Sequence, residues 1–294
     1  MNKPFFTGTC TALVTPFLGE KINYPMMEQL LRRQMEAGIH TVVISGTTGE
    51  CATLTDDEKI ELFRRCKEYV GSSMKIIAGT GSNSTEHAVY LSIEAQNAGA
   101  DGLLVVSPYY NKANNEGLVA HFLSVAHAVR IPVIIYNIPS RTGVDIPVSV
   151  YKTLSRIPNI VGVKEASISI TKIAKIRNEC GTDFGVWCGN DDMTVPFLSL
   201  GGSGVISVAS NVAPVTVDAM VRAGLDGDFD TAAHIQSRLL PLFETLFSDV
   251  NPIPVKSAMR YLGFDCGNCR LPLTALADEK IKHLEICLRN GKFT

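Results

Sequence analysis

Pro132-Val-Ile-Ile-Tyr-Asn-Ile-Pro139 and Ile160-Val-Gly-Val-Lys-Glu-Ala-Ser167, separated by a helix-length stretch at 147–155, decide how this chain folds. Each is a short run rich in β-branched residues that closes on polar groups, and a helical crossover between two such runs makes a parallel βαβ unit. Runs of the same kind recur on either side, at 11–17, 41–47, 75–80, 102–108, 184–190 and 204–210. Between them lie segments with helical period and capping signals, among them the capping box Thr55-Asp-Asp-Glu58. Eight strands joined by right-handed crossovers close into a (β/α)8 TIM barrel, here expected over residues 1–225. A doubly wound open sheet is the competing fold, but no Gly-x-Gly-x-x-Gly follows the first strand. Beyond residue 225 the strands stop. Helices are expected over 228–247, 255–262 and 274–289, forming a C-terminal three-helix appendage within 226–294 that packs on the barrel or carries a subunit contact.

Composition narrows the function. The 294 residues carry a net charge of -2 with 19% charged side chains, so no basic footprint for nucleic acid exists. The start, Met1-Asn-Lys-Pro-Phe-Phe-Thr-Gly8, has no apolar signal core, and a cytoplasmic protein is expected. The uncharged stretch 193–217 is broken by Gly201-Gly-Ser-Gly204 and reads as helix, turn and strand rather than a membrane span. Eight scattered cysteines predict free thiols, and the lone pair Cys266-Gly-Asn-Cys269 is too little for a zinc or redox site. The six histidines lie on helices or helix ends, and Asn190-Asp191-Asp192 reads as a helix start. Neither a metal nor a cofactor is therefore expected.

Barrel active sites form where strands end. Lys164 ends the sixth strand, where desolvation disfavours an ammonium and frees an amine for attack on a carbonyl. Alternation places Ile160, Gly162 and Lys164 inward and Val161, Val163 and Glu165 outward, which makes Glu165 a solvated or helix-facing carboxylate. The second strand ends Ser45-Gly-Thr-Thr-Gly-Glu50, a nest suited to a carboxylate. The fourth ends in Tyr109-Tyr110-Asn111, and the fifth in Tyr136-Asn-Ile-Pro-Ser-Arg141-Thr-Gly143. Tyrosine passes protons and arginine grips carboxylates through paired bonds. The Gly201–Gly204 turn precedes the eighth strand and so belongs to the opposite, structural face.

Those four motifs, in that order and spacing, resemble the pyruvate-dependent Schiff-base lyase and aldolase family, over a length running from Phe6-Thr7-Gly8 to the last helices. The resemblance implies that Lys164 forms an imine with pyruvate, whose carboxylate rests on Thr47 and Thr48. It further implies that the enamine attacks L-aspartate 4-semialdehyde to give 4-hydroxy-tetrahydrodipicolinate, in lysine and diaminopimelate biosynthesis. By the same resemblance Thr47, Tyr136 and Tyr110 would form a proton relay, with Tyr110 supplied by a neighbouring subunit of a homotetramer. The resemblance also implies that Arg141 holds the aldehyde's carboxylate and that Gly189 and Ile206 line the pocket through their backbone. N-acetylneuraminate lyase and keto-deoxy sugar acid aldolases are the alternative on the same barrel, resembling this chain less at Tyr110 and Arg141. The family's lysine-inhibited members place the effector near positions matching Ala52, Asn83 and Tyr109. At Asp56, Lys59 and His87 this chain departs from them, which implies weak inhibition or none.

Overall fold

The computed structural model describes residues 4–291. The chain opens with β1 (Gly8–Ala12), a two-stranded hairpin of β2 (Phe17–Leu18) and β3 (Lys21–Ile22), and α1 (Tyr24–Glu36). Then strands and helices alternate: β4 (Thr41–Ile44), α2 (Asp56–Val70), β5 (Lys75–Gly79), α3 (Thr85–Asn97), β6 (Gly102–Val106), α4 (Asn115–Ala128) and β7 (Val133–Asn137). After β7 come a one-turn α5 (Pro139–Thr142), α6 (Val148–Leu154), β8 (Ile160–Glu165), α7 (Ile170–Cys180), β9 (Gly185–Cys188), α8 (Thr194–Ser199), β10 (Gly204–Ser207) and α9 (Pro214–Leu225). Eight of the strands form a closed parallel barrel in the order β1-β10-β9-β8-β7-β6-β5-β4. The (β/α)8 expectation holds. The first strand lies earlier than its apolar run suggested, because the chain leaves the ladder before Pro16, which has no N–H to donate.

Two cores divide the barrel. The larger lies between strands and helices, and the smaller fills the interior with Phe6, Cys10, Val43, Ile134, Trp187 and Ile206 among others. Phe6 stacks on Trp187 at 4.6 Å between ring centroids. Gly162 makes room for this indole, since a Cβ there would lie 2.6 Å from Trp187 and 2.2 Å from the Gly185 carbonyl. Simple alternation along β8 fails at its start. Val133 pairs with Ile160 but Ile134 pairs with Gly162, so Val161 is bulged out of register. Ile160 consequently belongs to the outer core while Val161 packs on the inner one. Past the bulge Lys164 faces inward and Glu165 outward.

The appendage consists of α10 (Phe229–Leu246), α11 (Ile253–Tyr261) and α12 (Asp278–Gly291). Leu239, Leu242, Phe243 and Leu246 of α10 are buried, and α10 packs along α9 of the barrel. The last helix begins at Asp278, four residues later than its apolar pattern predicts, where Asp278 and Glu279 favour a helix N-terminus.

Candidate active site

Parallel register sets the centre of the site. Tyr136 of β7 lies beside Lys164 of β8, which in turn lies beside Trp187 of β9. The Lys164 Nζ sits 4.4 Å from the centre of the Tyr136 ring, and both residues are only 5% exposed. No carboxylate pairs with this amine among the described residues, so nothing ties it up as an ion pair. Its charge is felt by two buried neighbours. Burial pushes the Cys10 thiol far up, with Lys164 opposing. Burial also raises the Asp191 carboxyl, opposed by the Ser207 hydroxyl, by amides of Ala209 and Val208 and by Lys164. Asp191 Oδ2 accepts from those amides at 2.9 and 3.0 Å, and Oδ1 is buried without a partner. Sequence reading took Asp191 for a helix start; it does open a 3-10 turn, while its carboxylate is buried against the amides that follow β10.

The expected anion nest follows β4. Ser45 and Glu50 both adopt positive φ, 56° and 59°, bracketing Gly46-Thr47-Thr48-Gly49. Thr48 is buried and Thr47 half-buried. Asn251, just ahead of α11, donates from Nδ2 to Thr48 Oγ1 at 3.0 Å, and its carbonyl accepts from an Arg141 guanidinium nitrogen at 3.2 Å. One asparagine of the appendage thus joins the nest to the arginine. Sequence reading missed it, because nothing local to Asn251 signals a partner 203 positions away.

Glu165 is helix-facing but not solvated. It is completely buried, accepting from Asn137 Nδ2 at 2.8 Å, the Ser167 amide at 2.8 Å and the Tyr151 hydroxyl at 3.0 Å. Lys172 of α7 lies 3.4 Å from it and also pairs with Asp145. Asn137 reaches Asp145 at 2.8 Å and accepts from the Ile146 amide at 3.0 Å, which closes the loop carrying Arg141. Burial, then the Glu165 charge, drive the Tyr151 phenol well above its ordinary range. This cluster backs the Tyr136 and Lys164 pair from outside the barrel.

The other expected residues fall into two groups. Gly189 and Ile206 lie with the centre: Ile206 is buried in the interior opposite Cys10, and a Cβ on Gly189 would come within 2.6 Å of the Ala166 Cβ. The Gly189 N–H donates to the Glu165 carbonyl at 2.8 Å. Tyr110 stands apart, 91% exposed at a positive φ of 71°. Its neighbour Tyr109 is 39% exposed, its phenol raised by burial and by Cys51. Near the nest, His87 Nε2 lies 2.8 Å from Asp56, which Lys59 also approaches at 3.5 Å. Between the ends of β7, β8 and β9 and helix α10 opens a cavity of about 630 Å³, walled by Pro139, Ala166, Ser167, Asn190, Asp191 and Phe243 among others. Lys164, Tyr136, Thr47, Thr48 and Arg141 are not among its walls, so it opens beside the centre rather than over it.

A closed barrel whose rim carries a buried, carboxylate-free lysine against a tyrosine ring has the construction of an imine-forming lyase. The sequence pattern of the Dihydrodipicolinate synthetase family matches residues 5–290, and the chain belongs to that family. It is 45% identical over 286 residues to the 4-hydroxy-tetrahydrodipicolinate synthase of Thermoanaerobacter sp. (strain X514), covering 97% of this chain and 96% of that one. The solved 4-hydroxy-tetrahydrodipicolinate synthase of Methylacidiphilum fumariolicum SolV superimposes with a TM-score of 0.96 at 43% identity, covering 98% and 96% of the two chains. The enzyme of Cyanidioschyzon merolae, solved with lysine bound, gives 0.97 at 41% identity over 99% and 100%.

Proposed function

We propose that this protein condenses pyruvate with L-aspartate 4-semialdehyde to give 4-hydroxy-tetrahydrodipicolinate, in lysine and diaminopimelate biosynthesis. The observation that carries this reading is Lys164, buried against Tyr136 with no carboxylate partner among the described residues. Its amine, once it has given up a proton, attacks the ketone of pyruvate, and loss of water leaves an imine. The imine draws electrons from the adjoining methyl group, which gives up a proton to become an enamine. The enamine carbon bonds to the aldehyde carbon of the second substrate. The amino group of that substrate then attacks the imine carbon, closing the ring and releasing Lys164. Thr47 and Thr48 hold the pyruvate carboxylate, Arg141 holds the carboxylate of the semialdehyde, and Gly189 and Ile206 wall the pocket.

Proton transfer is assigned to Tyr136, Thr47 and Tyr110. Tyr110 is exposed on its own chain, and an aromatic held at positive φ in solvent suits a residue completed by a second copy. A homotetramer built as a dimer of dimers, working in the cytoplasm, is the assembly proposed. No described helix is long and apolar enough to cross a membrane. The reading is tested by steady-state turnover on three substrate sets. Condensation of pyruvate with L-aspartate 4-semialdehyde should far outrun cleavage of N-acetylneuraminate or a keto-deoxy sugar acid. Faster cleavage than condensation would contradict it.

A further inference from the structure

The appendage grips the nest at a second point, deeper than Asn251. Glu50 Oε1 accepts from Lys256 Nζ of α11 at 2.8 Å, and Oε2 accepts from the Arg270 amide at 2.9 Å. Both side chains of the ion pair are almost wholly buried, at 3% and 1% exposure. The ammonium also donates to the Asn268 carbonyl at 3.1 Å and lies 4.3 Å over the Phe17 ring. The Glu50 backbone is equally committed: its amide donates to the Thr47 carbonyl at 3.1 Å, and its own carbonyl accepts from the Thr53 amide at 3.0 Å. Glu50 is therefore fixed from both ends, and it is fixed at a φ of 59°.

A residue of this type keeps a left-handed conformation only where its surroundings over-determine it. Relaxing Glu50 would let Gly46-Thr47-Thr48-Gly49 swing, because Ser45 and Glu50 set where that segment begins and ends. Asn251 and Lys256 sit on the entry and first turn of one short helix, so α11 holds the Thr48 hydroxyl and the Glu50 carboxylate together. A buried ion pair is a poor way to gain stability, since desolvating both charges offsets most of their attraction. Its direction is specific, however, and an apolar contact of equal size would not have one.

We infer that Lys256, acting through Glu50, positions the nest that receives the pyruvate carboxylate, so that the helical appendage is a working part of the pyruvate site. This rests on the reading of Thr47 and Thr48 given above. Lys256 is a positioning residue and does not touch substrate. The test is borohydride trapping of isotope-labelled pyruvate on the full-length protein, reading the pyruvate concentration that half-saturates the label. The variants are Lys256→Met, the charge-free pair Glu50→Gln with Lys256→Met, and Lys256→Arg, with unfolding temperatures measured alongside. The double variant keeps an acceptor for the Arg270 amide and strands no charge, so it should melt near the unsubstituted protein. Its half-saturation should nonetheless rise about tenfold, the scale set by releasing one strained residue. Lys256→Arg, which keeps the charge but moves the donors, should fall between. Unchanged half-saturation in the folded double variant would show that the pair only docks the appendage and would overturn the inference. If the double variant does not fold, unchanged half-saturation in Lys256→Arg overturns it alone. Absence of any label in the unsubstituted protein would instead remove the functional reading beneath it.

Discussion

Two buried carboxylates stand behind the rim, and different parts of the chain anchor them. Glu165 is held by Asn137, Tyr151, Lys172 and the Ser167 amide, all within one stretch of barrel sequence. Glu50 is held by Lys256 and the Arg270 amide, more than 200 positions away in the appendage. The first therefore backs Lys164, Tyr136 and the Arg141 loop with contacts that form as their own βαβ unit forms. The second secures the anion nest only after the C-terminal helices have docked. The surroundings of Lys164 are built locally, and those of Thr47 and Thr48 by long-range closure.

Removing Glu165 should break this comparison most severely. Glu165→Ala leaves Lys172, Asn137, Tyr151 and the Ser167 amide short of a partner in the interior, at a cost of about 3 kcal/mol or more in denaturant unfolding. Glu165→Gln keeps one carbonyl acceptor and should cost clearly less. Equal stability of both variants would mean that the cluster is not fixing this side of the rim.

Arg141 stands where the two halves meet, anchored in α5 and bonded to the Asn251 carbonyl. Arg141→Ala should raise the KM for L-aspartate 4-semialdehyde by about 10- to 100-fold, the worth of a charged clamp on a carboxylate. Trapping of pyruvate alone should stay close to normal. Equal losses for both substrates would place Arg141 in the scaffold.

Acid should separate the halves more gently. Arg270 donates to both Glu58 oxygens, at 2.7 and 2.5 Å, and this bond, against some burial, holds the Glu58 carboxyl below its ordinary value. A carboxyl depressed in the folded state contributes stability that is complete above its unfolded pKa of about 4.3 and is lost as pH falls through the folded value. Hydrogen exchange around 268–271 and α2 should therefore quicken below about pH 4 before exchange in β7 and β8 does. The reverse order would contradict the assignment of Arg270 to the appendage's grip.

The smallest effect concerns lysine. Asp56 is already engaged by His87 and approached by Lys59; burial raises its carboxyl, but these two partners outweigh burial and lower it overall. A cationic effector finds that carboxylate occupied and a like charge beside it. Half-inhibition by lysine should need concentrations above the millimolar range, and submillimolar inhibition in a steady-state assay would show the site to be rebuilt from other residues.

What was legible in the sequence follows the same division. The eight strands, Lys164, Tyr136 and the nest residues are local patterns, since each depends on the few positions around it. The bulge at Val161 was not legible, because Val and Ile satisfy either face of the strand equally and only pairing with β7 selects one. Glu165 could be read as solvated or as helix-facing, and the sequence did not choose, because its partners Tyr151 and Lys172 lie on two separate helices. Asn251 and the Glu50–Lys256 pair were invisible for a stronger reason: neither partner has a local preference for the other, and only the docked appendage brings them together.

The central claim is that Lys164 is the group that captures pyruvate, and peptide mapping tests it most directly. Protein incubated with pyruvate and reduced with borohydride should lose activity and carry one reduced pyruvyl adduct, on the peptide containing Lys164. An adduct on another lysine, or none, would contradict the account.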